Sequence, residues 1–170
     1  MKPSPQRPLI LIGMPGAGKS YWAQRLAAGG GGSAVDLDAE IARISGKPIP
    51  EIFATEGEAG FRKWESKALQ QLLADDQYQF IATGGGTPCF GDNLARLLEK
   101  GMVIYLEAPV ALLAQRIAAQ KTARPLLQNQ SPETLLQKLS QLLAEREPFY
   151  RQAHHTLAAE GLSEATFARL

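Results

Sequence analysis

A single cysteine, Cys89, stands in the 170-residue sequence, so no internal disulfide can form, and the chain reads as one from a reducing compartment. No motif around Cys89 would activate its thiol, which makes it a small packing residue rather than a nucleophile. Long hydrophobic runs are also missing, and no apolar stretch reaches the ~18 residues of a membrane span. Met1 to Pro8 carries three prolines and no apolar signal-peptide core, which predicts a loose N-terminal tail on a cytoplasmic protein. Neither charge dominates: 18 Lys+Arg against 17 Asp+Glu leave +1, which argues against nucleic acid or an anionic membrane as partner. A small neutral or singly charged substrate suits that balance. The only histidines, His154 and His155, are adjacent, without metal-ligand partners at a recognisable spacing, and read as strand-edge residues. No internal repeat occurs, and the length predicts one domain over 1–170 with a single core.

What is present is a complete phosphate-binding loop, Gly13-Met14-Pro15-Gly16-Ala17-Gly18-Lys19-Ser20. It follows a short apolar run, Leu9 to Ile12, with the composition of a buried parallel strand, and precedes a helix-compatible segment. In that setting Gly16, Ala17 and Gly18 let backbone N–H groups close around phosphate oxygens, the helix N-terminus adds its positive dipole end, and Lys19 adds a full charge. Ser20 is placed to offer its hydroxyl to Mg²⁺. The chain is therefore expected to bind a nucleoside triphosphate.

Strand-like and helix-like segments alternate, as in an α/β sheet protein. Strands are predicted at Leu9–Ile12, Ala34–Leu37, Gln79–Ala82, Met102–Leu106 and His155–Ala158, enough for a five-stranded parallel sheet. Helices are predicted at Ser20–Ala28, Asp38–Ser45, Ile49–Thr55, Glu58–Ala74, Asn93–Lys100, Pro109–Ala119, Pro132–Tyr150 and Ser163–Leu170. The run from Gly29 to Gly32 reads as a helix-to-strand connection, because it lacks the lysine and hydroxyl of a second phosphate loop. The polar stretch from about 119 to 130 reads either as a solvated loop or as a mobile lid whose Arg124 brings charge to a transferred phosphoryl group.

Four further clusters carry chemistry. Asp36-Leu37-Asp38 ends the second strand, where alternation directs both carboxylates to one side. One can support Mg²⁺ while the other meets a substrate hydroxyl, or Asp38 simply caps the next helix. Arg62 and Glu65 are three apart on one helical face, either a surface ion pair or a guanidinium held ready for a carboxylate. Gly84-Gly85-Gly86 leave the third strand and would let a ligand lie against backbone, or merely turn the chain. Arg146 lies between Glu145 and Glu147, neutralised at the surface or directed inward.

In their order, these pieces resemble the shikimate kinase family over roughly 9–152: the phosphate loop, Asp36-Leu37-Asp38, Phe61-Arg62-Lys63-Trp64-Glu65, Thr83-Gly84-Gly85-Gly86, Arg124-Pro125-Leu126-Leu127, and Arg146 before Tyr150. The resemblance implies a three-layer α/β/α P-loop kinase fold with a mobile lid, and transfer of the ATP γ-phosphoryl group to the 3-hydroxyl of shikimate on the route to chorismate. It further implies that Gly16 to Tyr21 cradle the nucleotide phosphates, that Ser20 ligates Mg²⁺ and that Asp36 supports the metal through water. Asp38 would bind shikimate hydroxyls and orient or deprotonate the attacking one. Arg62 and Arg146 would grip the carboxylate, Gly84, Gly85 and Gly86 would line the ring, Arg124 would reach the ATP phosphates, and Arg116 would flank the adenine. A monomer is the family's habit. Tyr21 departs from the family's usual threonine, and the match fades after Tyr150. A gluconate-type kinase is the nearest rival, while a GTP switch would need an Asn-Lys-x-Asp tetrapeptide that the sequence lacks.

Overall fold

In the computed structural model, residues 7–30, 32–120 and 130–170 are described. Strand β1 (Leu9–Ile12) shows how the layers arise, because Ile10, Leu11 and Ile12 are all fully buried. Neighbouring side chains on a strand point to opposite faces, so burial of consecutive residues requires cover on both sides. Val103, Ile104, Tyr105 and Leu106 repeat the pattern in β4 (Met102–Glu107). With β2 (Ala34–Asp36), β3 (Phe80–Ala82) and β5 (His155–Ala158), they form one parallel sheet in the order β2-β3-β1-β4-β5. This is the five-stranded α/β architecture that the sequence predicts.

The covering helices are α1 (Lys19–Gly30), α2 (Leu37–Ser45), α3 (Ile49–Ala74), α4 (Asn93–Lys100), α5 (Val110–Ala119), α6 (Pro132–Tyr150) and α7 (Glu164–Phe167). Helix α1 runs into the glycine stretch, and its last turn closes where the Gly32 N–H donates to the Ala27 carbonyl at 3.1 Å. The two helices expected on either side of residue 57 meet at a kink within α3, where Gly57 adopts φ 69° and ψ −174°. Only glycine enters that region cheaply. The kink is braced from outside: Trp64 Nε1 donates to Glu56 Oε2 at 2.9 Å, and Lys47 Nζ lies 3.0 Å from Glu56 Oε1. Helix α7 is four residues long, shorter than the expected 163–170. Its docking is specific, with Phe167 against Trp22 at 5.2 Å between ring centroids and Glu164 Oε1 accepting from Arg25 Nε at 2.9 Å.

His154 lies beside the sheet edge as expected, where its Nδ1 accepts the Val103 N–H at 2.9 Å. Among the described residues, no helix is long and apolar enough to cross a membrane. Because the strands are parallel, the segments after β1, β2 and β3 open at one edge of the sheet, beside the point where the order reverses around β1. The phosphate loop follows β1, the triglycine turn follows β3, and at Asp36-Leu37-Asp38 strand β2 passes directly into α2.

Candidate active site

The Lys19 ammonium arches back over its own loop, donating to the carbonyls of Gly13 at 2.8 Å and Met14 at 2.9 Å, and the residue is 92% shielded from water, with 8% relative exposure. Gly16 and Gly18 hold positive φ, the geometry that turns successive amides toward an anion. Arg116 reaches across from α5 and donates to the carbonyls of Gly16 at 3.1 Å and Ala17 at 3.3 Å. That contact braces the phosphate loop from the far side. Tyr21 is exposed and its hydroxyl accepts from Arg25 Nη1 at 2.8 Å.

Asp36 serves two partners. Its Oδ1 accepts the Asp38 N–H at 2.9 Å and caps α2, while its Oδ2 accepts the Ser20 hydroxyl. The capping role that the sequence offered to Asp38 therefore belongs to Asp36, because strand β2 ends one residue earlier than the pattern predicts. Asp38 falls in the first turn of the helix and is exposed toward the triglycine turn. Ser20 and Asp36 together present a hydroxyl and a carboxylate oxygen, the hard donors that Mg²⁺ prefers. Among the described residues no group of three or more His, Cys, Asp or Glu could hold a metal ion. A magnesium ion that rides on nucleotide phosphates needs only one or two protein oxygens, so this pair fits it.

The triglycine turn is where separate elements meet. A Cβ built on Gly84 would lie 3.3 Å from Glu65 Oε2 and 3.5 Å from Asp38 Oδ1. One on Gly85 would lie 2.8 Å from Pro15 Cδ and 3.0 Å from Arg146 Nη1, and one on Gly86 only 2.6 Å from Arg62 Nη2. Residues from the phosphate loop, α2, α3 and α6 thus surround backbone on which an added side chain would displace a neighbour. The Arg62 and Glu65 pair is no surface decoration: Glu65 has 1% relative exposure and its Oε1 accepts from Arg62 Nη1 at 2.8 Å. Arg146 is buried as well, despite its flanking glutamates. Cys89 lies close to both arginines. Burial pushes its thiol up to about 11, with Arg146 and Arg62 pulling the other way, so it is not a nucleophile at neutral pH.

Two cations, one exposed carboxylate and a bare backbone turn lie beside a phosphate loop. Such a site suits a small polyhydroxylated acid as phosphoryl acceptor. The shikimate kinase family model matches residues 15–170. The chain belongs to the shikimate kinase family. The shikimate kinase of Nitrobacter winogradskyi is 43% identical over 153 residues, covering 90% of this chain and 69% of that one. The crystal structure of shikimate kinase from Bacteroides thetaiotaomicron superposes with a TM-score of 0.87 at 32% identity, covering 95% of each chain. A shikimate kinase from Acinetobacter baumannii in complex with shikimate gives 0.85 at 38% identity, covering 96% of this chain and 89% of the other. As a member of that family, the chain is an ATP-dependent phosphotransferase acting on a small molecule.

Of the residues that the sequence assigned to the site, Arg124 lies outside the described residues, as does most of the expected lid. The structure adds residues that sequence reading missed. Tyr150, fully buried, donates its hydroxyl to the Gly85 carbonyl at 2.5 Å, and burial raises its phenol well above the usual range. Thr87 and Phe90, just beyond the triglycine turn, touch Glu65 and Arg62. Their sequence signal was only that a hydroxyl and an aromatic follow three glycines.

Proposed function

We propose that the chain phosphorylates the 3-hydroxyl of shikimate from ATP through a division of labour among three loops and two helices. Lys19 and the amides of Gly16, Ala17, Gly18, Ser20 and Tyr21 hold the nucleotide phosphates, and Arg124 reaches them from the lid. Ser20 would hold Mg²⁺ and Asp36 would support it through water, and the ion would screen the negative charge of the phosphates. Arg62 and Arg146 grip the shikimate carboxylate, with the guanidinium fork suited to two parallel hydrogen bonds. Asp38 accepts a hydrogen bond from the attacking hydroxyl across the turn formed by Gly84, Gly85 and Gly86. The new O–P bond forms as the bridging bond of ATP breaks, and the hydroxyl proton leaves toward Asp38. Because such transition states are loose, Asp38 matters more for aiming the hydroxyl than for removing its proton. Arg116 flanks the adenine by way of the phosphate loop. One domain, 1–170, carries the reaction, as a monomer on the family resemblance and in the cytoplasm on the single cysteine, Cys89.

The observation that carries this reading is the meeting of Asp38, Glu65, Arg62 and Arg146 around Gly84, Gly85 and Gly86. A coupled ADP-release assay with Mg²⁺-ATP tests it, run with shikimate, with gluconate and with no acceptor. Release is expected with shikimate alone, falling at least about a hundredfold in Asp38→Asn. Release with gluconate instead keeps the kinase and discards the substrate.

A further inference from the structure

The Arg62 guanidinium is held by more than Glu65. Glu65 is nearly fully buried, and its second carboxylate oxygen is spoken for: Thr87 Oγ1 donates to Glu65 Oε2 at 2.8 Å while Oε1 takes Arg62 at 2.8 Å. Thr87 has 0% relative exposure. A carboxylate bound at both oxygens has a fixed plane, and a fork-shaped cation inherits that orientation. The turn that carries Thr87 is itself pinned. Thr87 N–H donates to the Gly84 carbonyl at 3.2 Å, and Asn93 Nδ2 donates to the Thr87 carbonyl at 3.0 Å from the start of α4.

Three residues further on, the Phe90 ring lies against the same guanidinium, with Arg62 Cζ 3.9 Å from the ring centroid. This is the shortest of the cation–ring contacts among the described residues, whose other centroid distances run from 5.0 to 5.9 Å. Arg62 Nε is buried and makes no hydrogen bond, so an aromatic face is compatible with it where water is excluded. Phe90 itself has 37% relative exposure, high for a phenylalanine that only packs.

We infer that Thr87 and Phe90 are positioning residues for substrate binding: Thr87 locks the Glu65 carboxylate, Phe90 stacks on Arg62, and together they preset the guanidinium for the acceptor's carboxylate. This rests on the functional reading above. Their job is to lower the ordering cost of binding the acid, so they act on acceptor affinity rather than on the phosphoryl-transfer step.

Steady-state kinetics on the full chain test this with Thr87→Val, Thr87→Ser, Phe90→Leu and Phe90→Tyr. Valine keeps the shape of threonine without the hydroxyl, and leucine keeps bulk without the ring. Both are expected to raise KM for shikimate about tenfold while kcat and KM for ATP stay within about twofold. Serine and tyrosine are expected to restore the value. In an Arg62→Lys background, which has no fork to orient, adding Thr87→Val or Phe90→Leu is expected to cost less than about twofold. The inference is overturned if KM for ATP rises in step, if kcat carries the loss, if the conservative variants fail to rescue, or if the effects persist undiminished beside Arg62→Lys. Should Thr87→Val fail to fold, the exposed Phe90 pair decides alone. Wild-type enzyme that releases no ADP with shikimate overturns the functional reading itself, whereas active wild type with unaltered variants overturns this inference only.

Discussion

Glu65 and Glu58 both meet Arg62, yet one is buried and the other half exposed. Glu65 has a side chain 1% exposed, 2.8 Å from Nη1, whereas that of Glu58 is 52% exposed and 3.3 Å from Nη2. An exposed pair is screened by water and costs side-chain entropy to hold, so Glu58→Ala should change unfolding free energy by no more than about 0.5 kcal/mol. Glu65→Ala strips a cation only 12% exposed of its main partner and leaves the Thr87 hydroxyl without an acceptor. Breaking a buried pair from one side costs about 3 kcal/mol. Urea denaturation of the two variants checks the contrast, and equal midpoints would place Glu65 in a more hydrated setting than its burial indicates. The i,i+3 spacing that announced the pair in the sequence carried no information on burial, which depends on α4 and the triglycine turn packing over α3 from elsewhere in the chain.

At the scale of elements, the turn after β3 is the junction on which α2, α3 and α6 converge, and its glycines are there for room. A methyl group at Gly86 would lie 2.6 Å from Nη2 and 2.8 Å from Nη1 of Arg62. Those atoms are the far end of a flexible side chain, so Gly86→Ala is expected to fold with a loss of about 1 kcal/mol or less while pushing the guanidinium aside. Its signature is a shikimate KM raised about tenfold or more with KM for ATP unchanged, read from the same ADP-release assay. A parallel rise in both constants would mean that the turn shapes the phosphate loop as well. The strands, the long C-terminal helix α6 and the phosphate loop were legible in the sequence because local periodicity and a contiguous motif define them. The kink at Gly57 was legible only as a gap between two patterns. The Thr87 contact to Glu65 and the Tyr150 contact to Gly85 left no local trace. Both depend on pairings across 22 to 65 positions, Thr87 with Glu65 and Tyr150 with Gly85, which no window of sequence contains.

For the whole molecule, the shifted groups divide by sign and by location. Glu40, Glu56 and Asp92 are held below the usual carboxylate range, each first by a hydrogen bond from its partner, Arg43, Lys47 and Arg96 respectively. A depressed carboxylate contributes stability that is present above its ordinary value and is lost as pH falls through the folded one. Cys89 and Tyr105 are pushed up by burial, to about 11 and about 12, and Tyr150 is raised by the same cause. For these acids the folded state holds the proton more tightly, so their contribution is complete below the unfolded values of about 8.5 for the thiol and about 10 for the phenols. As pH rises, the unfolded chain releases its protons first, and stability falls until the folded groups ionise, at a slope of at most about 1.4 kcal/mol per pH unit for each group. The expected profile is a plateau from about pH 5 to 8.5 with a limb on either side. The two limbs should respond differently to salt. Glu56, Asp92 and the Arg43 partner of Glu40 face water, and about 0.5 M NaCl should weaken their pairs, whereas desolvation of Cys89 and the two tyrosines is indifferent to ionic strength. Thermal melts at pH 4, 7 and 10.5, with and without added salt, check this, and Tyr105→Phe should shallow the alkaline limb because it removes one linked proton. An alkaline limb that salt abolishes would trace the loss to surface charge rather than to the buried phenols beneath the acceptor site.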